Sequence, residues 1–292
     1  MFKKGILYNK GELDVLPYYC KVASFLKKFL KGKKIATKIH LPNFFFLKRG
    51  SNSEPFYIED FSYINEKMLE LRKFHLKEIR EKLNKKQELI WEYFPPRKLI
   101  QFFYATNDEG IGKPIERIFI DIDRRKNSED DAKEVAKNLI DIIKNDKEFS
   151  RIIDIKKIIV LWTGNSFHVY IILKKTINLD FYNDYLSYGE KKYKSFINKW
   201  ALECEKRSRI DVRAGHEKSE KFIILDSSNT PSGKLARTPF SLHVKDWKTI
   251  DGVCVPISYE ELNNKNLIKD LKKISPDSII KNLKNYEKFL QV

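Results

Sequence analysis

Five short apolar runs set the strongest limit on how this chain can fold. KLIQFFYA (98–105), RIFIDID (117–123), KKIIVLW (156–162), FHVYIIL (167–173) and KFIILD (221–226) are rich in Ile, Val, Phe and Tyr. Each has the length and composition of a strand rather than of a buried helix. Between the second and third lies EDDAKEVAKNLIDIIKND, where Val135, Leu139, Ile142 and Ile143 share one helical face. A second long helix is expected at about 180–208, with Tyr185, Phe196, Trp200 and Leu202 among its apolar positions. Strands interleaved with helices predict an α+β fold, a mixed sheet flanked by helices.

Outside that stretch the pattern is more helical. Residues 12–31 carry Leu16, Tyr19, Val22, Ala23, Leu26 and Leu30 at helical spacing, with Pro17 near the start, where proline is tolerated. KKIATKIHLPNFFFLK reads as one or two strands, and 65–92 as a charged amphipathic helix with Met68, Leu71, Leu76, Ile79 and Leu83 as its stripe. VCVPIS (253–258) reads as one more strand, followed by helical SYEELNNKNLIKDLKKIS and PDSIIKNLKNYEKFL. No Gly/Ser/Pro-rich linker or repeat divides the 292 residues. One catalytic domain over 1–292 is therefore expected, with an N-terminal lobe of about 1–110 and a core of about 111–292.

No apolar run approaches the roughly 20 residues that span a bilayer, and the basic N-terminus lacks the long apolar core of a secretion signal. A cytoplasmic protein with no membrane partner is expected. Cys20, Cys204 and Cys254 are odd in number and far apart, fitting neither a disulfide framework nor a zinc knuckle. They read as buried thiols in a reducing compartment. The net charge of +17 points to a polyanionic partner, since Lys and Arg that neutralise phosphates release counterions. Abundant Lys, Ile and Asn also suit an AT-rich genome, and Lys with Glu suits heat adaptation.

Chemistry concentrates at the strand ends. In RIFIDID, Ile118, Ile120 and Ile122 point to one face and Phe119, Asp121 and Asp123 to the other. The two carboxylates thus emerge together, roughly 7 Å apart, an arrangement that suits one or two hard divalent cations. Capping of the helix that follows is the alternative use of such acids. In WTGNSFHVYIIL, a Gly-containing turn precedes His168, so backbone N–H groups and Ser166 could face an anion. A third acid, Asp226, ends KFIILD; Lys234, Arg237 and His243 supply basic donors beyond it. Asp211, in RSRIDVRAGH, competes for the role of third acid.

In this order, IFIDID, SFH (166–168) and ILD (224–226) resemble the three signatures of the archaeo-eukaryotic primase superfamily. The chain is most similar to the polymerase domain of bacterial ligase D and its stand-alone archaeal relatives, which serve non-homologous end joining. That likeness runs nearly end to end. It includes the paired tyrosines of KGELDVLPYYCKVASFLKKFLKGKKIATK, NFFFLKRG, LDSSNTPSGKLARTPFSLH and VPISYEEL.

The resemblance implies a primase-polymerase fold and a nucleotidyltransferase extending a primer 3′-hydroxyl on a DNA template. NTPs or dNTPs would be the substrates. Asp121, Asp123 and Asp226 would hold two divalent cations, Mg²⁺ or Mn²⁺. Ser166, His168, Asn229, Lys234 and Arg237 would bind the incoming nucleotide. Phe45 and Phe46 would stack on template bases beside Lys48, and Lys4 and Lys10 would reach a downstream 5′-phosphate. Gapped or 5′-phosphorylated DNA is the implied partner, with a separate DNA ligase as another.

Departures are plain. The TGNSFH turn is short, Tyr93 stands where the family has a His before Pro, and His243 replaces a final Arg. The missing zinc knuckle argues against a replicative primase subunit. Three other activities compete with gap filling: de novo priming, DNA-end binding without catalysis, and a metal-dependent nuclease.

Overall fold

The computed structural model of the chain describes residues 5–189, 194–217 and 220–292. Packing divides it into two units, each assembled from separate stretches of chain. One contains Met1–Ala105, Arg237–Cys254 and Ile274–Gln291; the other contains Thr106–Ala236 and Val255–Lys273.

In the first unit, Asp14 starts the first helix. Its carboxylate accepts the Leu16 N–H at 3.1 Å, and Pro17 occupies the first turn of Leu16–Leu26. The helix is shorter than the periodicity over 12–31 predicts, because Glu12–Leu13 instead pairs with Tyr8–Asn9 as a small hairpin. Tyr18 and Tyr19 are fully buried, and their hydroxyls donate to the carbonyls of Phe240 (2.8 Å) and Ile100 (2.6 Å). KKIATKIHLPNFFFLK forms two strands, Lys34–His40 and Phe45–Lys48, joined by a tight turn. Lys34–His40 lies between Phe45–Lys48 and Ile100–Ala105, antiparallel to both.

The continuous helix expected over 65–92 is broken into Glu66–Leu71, Leu76–Ile79, a short 3₁₀ turn and Lys85–Tyr93. The reason is local and tertiary together. Asn65 caps the first piece, and Asn84 starts the last through a capping box with Gln87. Arg72, just past the first piece, turns inward to Asp14 instead of continuing an exposed face.

The second unit is built on a six-stranded mixed sheet in the order Val212–Ala214, Ile223–Asp226, Ile115–Asp123, Phe167–Ile177, Ile155–Trp162, Val255–Ile257. All neighbours are antiparallel except the first pair. Central positions such as Ile118, Ile120 and Ile122 are buried along with Phe119, as expected for a sheet covered on both faces. The helix Glu129–Asn145 begins at a Ser128–Asp131 capping box and buries Val135, Leu139, Ile142 and Ile143.

The expected helix over 180–208 is also interrupted. Leu179–Phe181 widens into a π-type turn at Tyr182–Leu186, and a new helix capped by Ser195 runs from Phe196 to Ser208. Ser227 draws the Leu186 carbonyl aside at 2.7 Å, which ends the first segment. Part of that expectation, 190–193, lies outside the described residues. VCVPIS is split between two strands, Ile250–Val253 and Val255–Ile257, one in each unit. The helical tail shortens to a turn at Glu260–Asn263 and a helix at Leu267–Leu271, before Pro276–Leu290. Cys204 and Cys254 are buried and Cys20 is half-buried, all three as free thiols. No helix among the described residues is long and apolar enough to cross a membrane.

Candidate active site

Strand register gathers the central residues of the second unit. Asp121 lies directly opposite Asp226 on one neighbouring strand and opposite His168 on the other. Directly paired residues share a sheet face, so Asp226, Asp121 and His168 form a row across three strands. Asp123 extends that face toward the strand end, level with Ile224. Asp211 is placed elsewhere: it precedes Val212, which pairs with Ile223, so it sits at the far end of the strand that Asp226 terminates.

Each carboxylate has a partner. Asp121 Oδ1 is 3.3 Å from His168 Nε2. Asp123 faces the Arg125 guanidinium at 2.8 Å, and Asp226 accepts the Ser228 N–H at 2.8 Å. Burial pushes the Asp123 carboxyl above its ordinary range, and the negative charge of Asp121 adds to that against Arg125. Burial likewise raises Asp226; hydrogen bonds from Ser228 oppose the shift, and the charge of Asp121 reinforces it. The row is therefore a crowd of mutually repelling carboxylates in partial shelter from water.

All-carboxylate oxygen donors suit a hard divalent cation in type. As placed, no group of three or more His, Cys, Asp or Glu among the described residues is gathered closely enough to hold one. Asp123 is engaged by the Arg125 guanidinium and Asp226 by the Ser228 N–H. His168 Nδ1 is buried with no protein partner, an orphaned polar atom on the same row.

The turn before His168 differs from expectation. Ser166 N–H donates to Thr163 Oγ1 at 3.0 Å, and the Ser166 hydroxyl donates to the Ile122 carbonyl. Those donors close the turn and pin it to the aspartate strand, so Ser166 braces the site and its proton does not point at an anion. Gly164, at φ +99°, makes the turn possible. Arg124 ties it down from the other side, reaching the Asn165 carbonyl at 2.8 Å and its side chain at 2.5 Å.

The loop after Asp226 is stitched just as firmly. Thr230 Oγ1 exchanges two 3.0 Å bonds with the backbone of Phe119, and Asn107 bridges Glu116, Arg117 and Thr230. Asn229 is half-buried there and Lys234 is exposed. Arg124, Arg125, Tyr188 and His216 also line this region without having been singled out from the sequence. The arginines were visible as the RR after DID; the Tyr188–His216 contact joins residues 28 apart and leaves no local pattern. A groove of about 800 Å³ elsewhere in this unit is lined by Ile142, Glu148, Lys199 and Leu202, among others, and by none of these residues.

The remaining candidates lie in the first unit. Phe44, Phe45 and Phe46 are 64%, 56% and 47% exposed, and Lys38 Nζ sits 3.8 Å over the Phe45 ring. Lys48 pairs with Glu92 at 2.5 Å, and Lys10 pairs with Glu70. Arg237 lies over Phe103, 5.5 Å from its centroid, and His243 pairs with Asp251. Tyr93 is wholly buried against Phe56, with its hydroxyl donating to the Glu54 carbonyl at 2.9 Å. Its position in that core makes it a packing residue. Lys4 lies outside the described residues.

No family model matches the chain, and no curated protein matches it either. Among solved structures, the polymerase domain of Mycobacterium tuberculosis Ligase D in complex with DNA is similar, with a TM-score of 0.59 at 14% identity. The match covers 97% of this chain and 93% of that one. The chain thus has the α+β fold of that polymerase domain from end to end.

Proposed function

We propose that the protein is a template-dependent nucleotidyltransferase of the primase-polymerase type. It adds ribo- or deoxyribonucleotides to a primer 3′-hydroxyl, filling short gaps during DNA end joining. The observation that carries this is the row Asp226–Asp121–His168, with Asp123 beside it, on a fold shared with a ligase D polymerase domain.

Asp121, Asp123 and Asp226 would hold two divalent cations, Mg²⁺ or Mn²⁺, which supply the positive charge that offsets a triphosphate and its transition state. The mutual repulsion of these carboxylates supports that role, because a cation relieves it. His168, Lys234 and Asn229 would bind the phosphates of the incoming nucleotide, while Ser166 and Arg124 keep the turn before His168 in place. In the other unit, exposed Phe45 and Phe46 offer flat faces to bases, and Lys48 and Lys10 offer charge to the DNA backbone. Sealing of the filled strand falls to a separate DNA ligase.

The test is nucleotide incorporation by the purified protein with Mn²⁺ or Mg²⁺. It compares a gapped duplex carrying a 5′-phosphate, an ordinary primer–template and an unprimed single strand. Preferential filling of the phosphorylated gap is expected. Synthesis on the unprimed strand would make the protein a primase, and DNA binding without incorporation would make it an end-binding module. Asp121→Ala should abolish incorporation and leave DNA affinity intact; unchanged extension would remove Asp121 from the metal site.

A further inference from the structure

The carboxylate row has two flanks of different chemistry. Beyond His168 stands the Thr163–Ser166 turn, braced by Arg124. Beyond Asp226 lies the strand Val212–Ala214, whose register sets Ala214 opposite Leu225 and brings Gly215 level with Asp226. Gly215 N–H donates to the Leu225 carbonyl at 3.2 Å. His216 follows at once and is exposed. Its Nδ1 is hydrogen-bonded to the hydroxyl of half-exposed Tyr188, with the two rings 5.4 Å apart.

Tyr188 is not there by chance of a loop. Ser227, the residue after Asp226, holds the Leu186 carbonyl at 2.7 Å, and Asn198 holds the Gly189 carbonyl at 3.0 Å. Both members of the pair are thus fastened to the chain that carries Asp226. Neither is used by the proposed metal ligands or the phosphate grip.

Nucleotidyl transfer needs the attacking hydroxyl and the leaving pyrophosphate in line, on opposite sides of the phosphorus. With the triphosphate on the His168 flank, the hydroxyl arrives from the Asp226 flank. A phenol and an imidazole there present ring faces and hydrogen-bonding edges, which suit a sugar and base. Resting on the polymerase reading, we propose that Tyr188 and His216 seat the 3′-terminal nucleoside of the primer strand, setting its hydroxyl beside Asp226.

The test uses a primer–template whose 3′-terminal base is 5-iodouracil, irradiated with the full-length protein, followed by sequencing of the cross-linked peptide. The cross-link is expected at Tyr188 or His216. In steady-state extension, Tyr188→Leu and His216→Ala should each raise the KM for primer–template about tenfold, the size of one lost stacking or hydrogen-bonding contact. The KM for the nucleotide should stay within about twofold. Tyr188→Phe should lose less than Tyr188→Leu, and thermal melting should show all three variants folded. An active wild type whose cross-links avoid both residues, or variants that raise the nucleotide KM instead, would overturn the seat. Cross-linking needs no turnover, so a wild type that cross-links there yet adds no nucleotide would overturn the polymerase reading and leave a site for a DNA 3′ end.

Discussion

Single side chains in this protein sort by what they leave behind when removed. Arg72 and Asp14 are 2% and 3% exposed, and the guanidinium also donates to the Phe94 carbonyl at 2.6 Å and stacks on Trp91. Removing one partner strands the other charge in the core. Arg72→Ala should therefore cost about 3–5 kcal/mol, read as a fall in the denaturant midpoint at constant slope; a loss below about 1 kcal/mol would mean that water reaches the pair. Phe45 is the opposite case. It is more than half exposed, so Phe45→Ala should hardly change folding stability while weakening template binding by about 1–3 kcal/mol. Gel-shift and thermal melting measured on the same sample separate the two effects. A drop in melting temperature without a drop in affinity would return the ring to a packing role.

At the level of elements, Asp146 shows how one residue joins two helices. Its carboxylate caps Lys147–Ile152 through the N–H groups of Glu148 and Phe149, both at 3.1 Å. It also accepts the Trp200 indole N–H at 2.9 Å from the helix Phe196–Ser208 and pairs with Lys199. Burial pushes this carboxyl up, but the hydrogen bonds from Trp200 and Phe149, with Lys199, outweigh it and hold the carboxyl below its ordinary range. A depressed folded pKa contributes stability above the unfolded value of about 3.9 and loses it as pH falls through the folded value. Asp146→Asn should thus be less stable than the wild type by about 1–3 kcal/mol at neutral pH. The gap should close as pH drops below about 4. A difference independent of pH would show that packing alone is at stake. The same logic explains why the helices expected over 65–92 and 180–208 are broken: Asn84, Ser195 and Ser227 redirect backbone groups that the apolar spacing alone would leave in one continuous helix.

For the whole molecule, the +17 charge makes a quantitative demand. If about six phosphates are neutralised on binding, affinity for duplex DNA should fall roughly 10³-fold between 50 and 200 mM salt. A flat salt dependence would show that the surplus lysine belongs to composition and not to a DNA surface. The sequence by itself determined the five apolar strands, the helix Glu129–Asn145 and the alternation that puts Asp121 and Asp123 on one face, because apolar runs and their periodicity are local signals. It also held the order of IFIDID, SFH and ILD that resembles a primase-polymerase. Only the tertiary structure decided that Asp226 rather than Asp211 stands opposite Asp121, since strand pairing joins residues about a hundred positions apart. It likewise decided that Ser166 braces the turn, that Tyr93 is core while Phe45 is surface, and that Tyr188 meets His216. Those outcomes depend on which groups the packed sheet buries and which hydrogen bonds burial makes obligatory, and no window of sequence contains both partners.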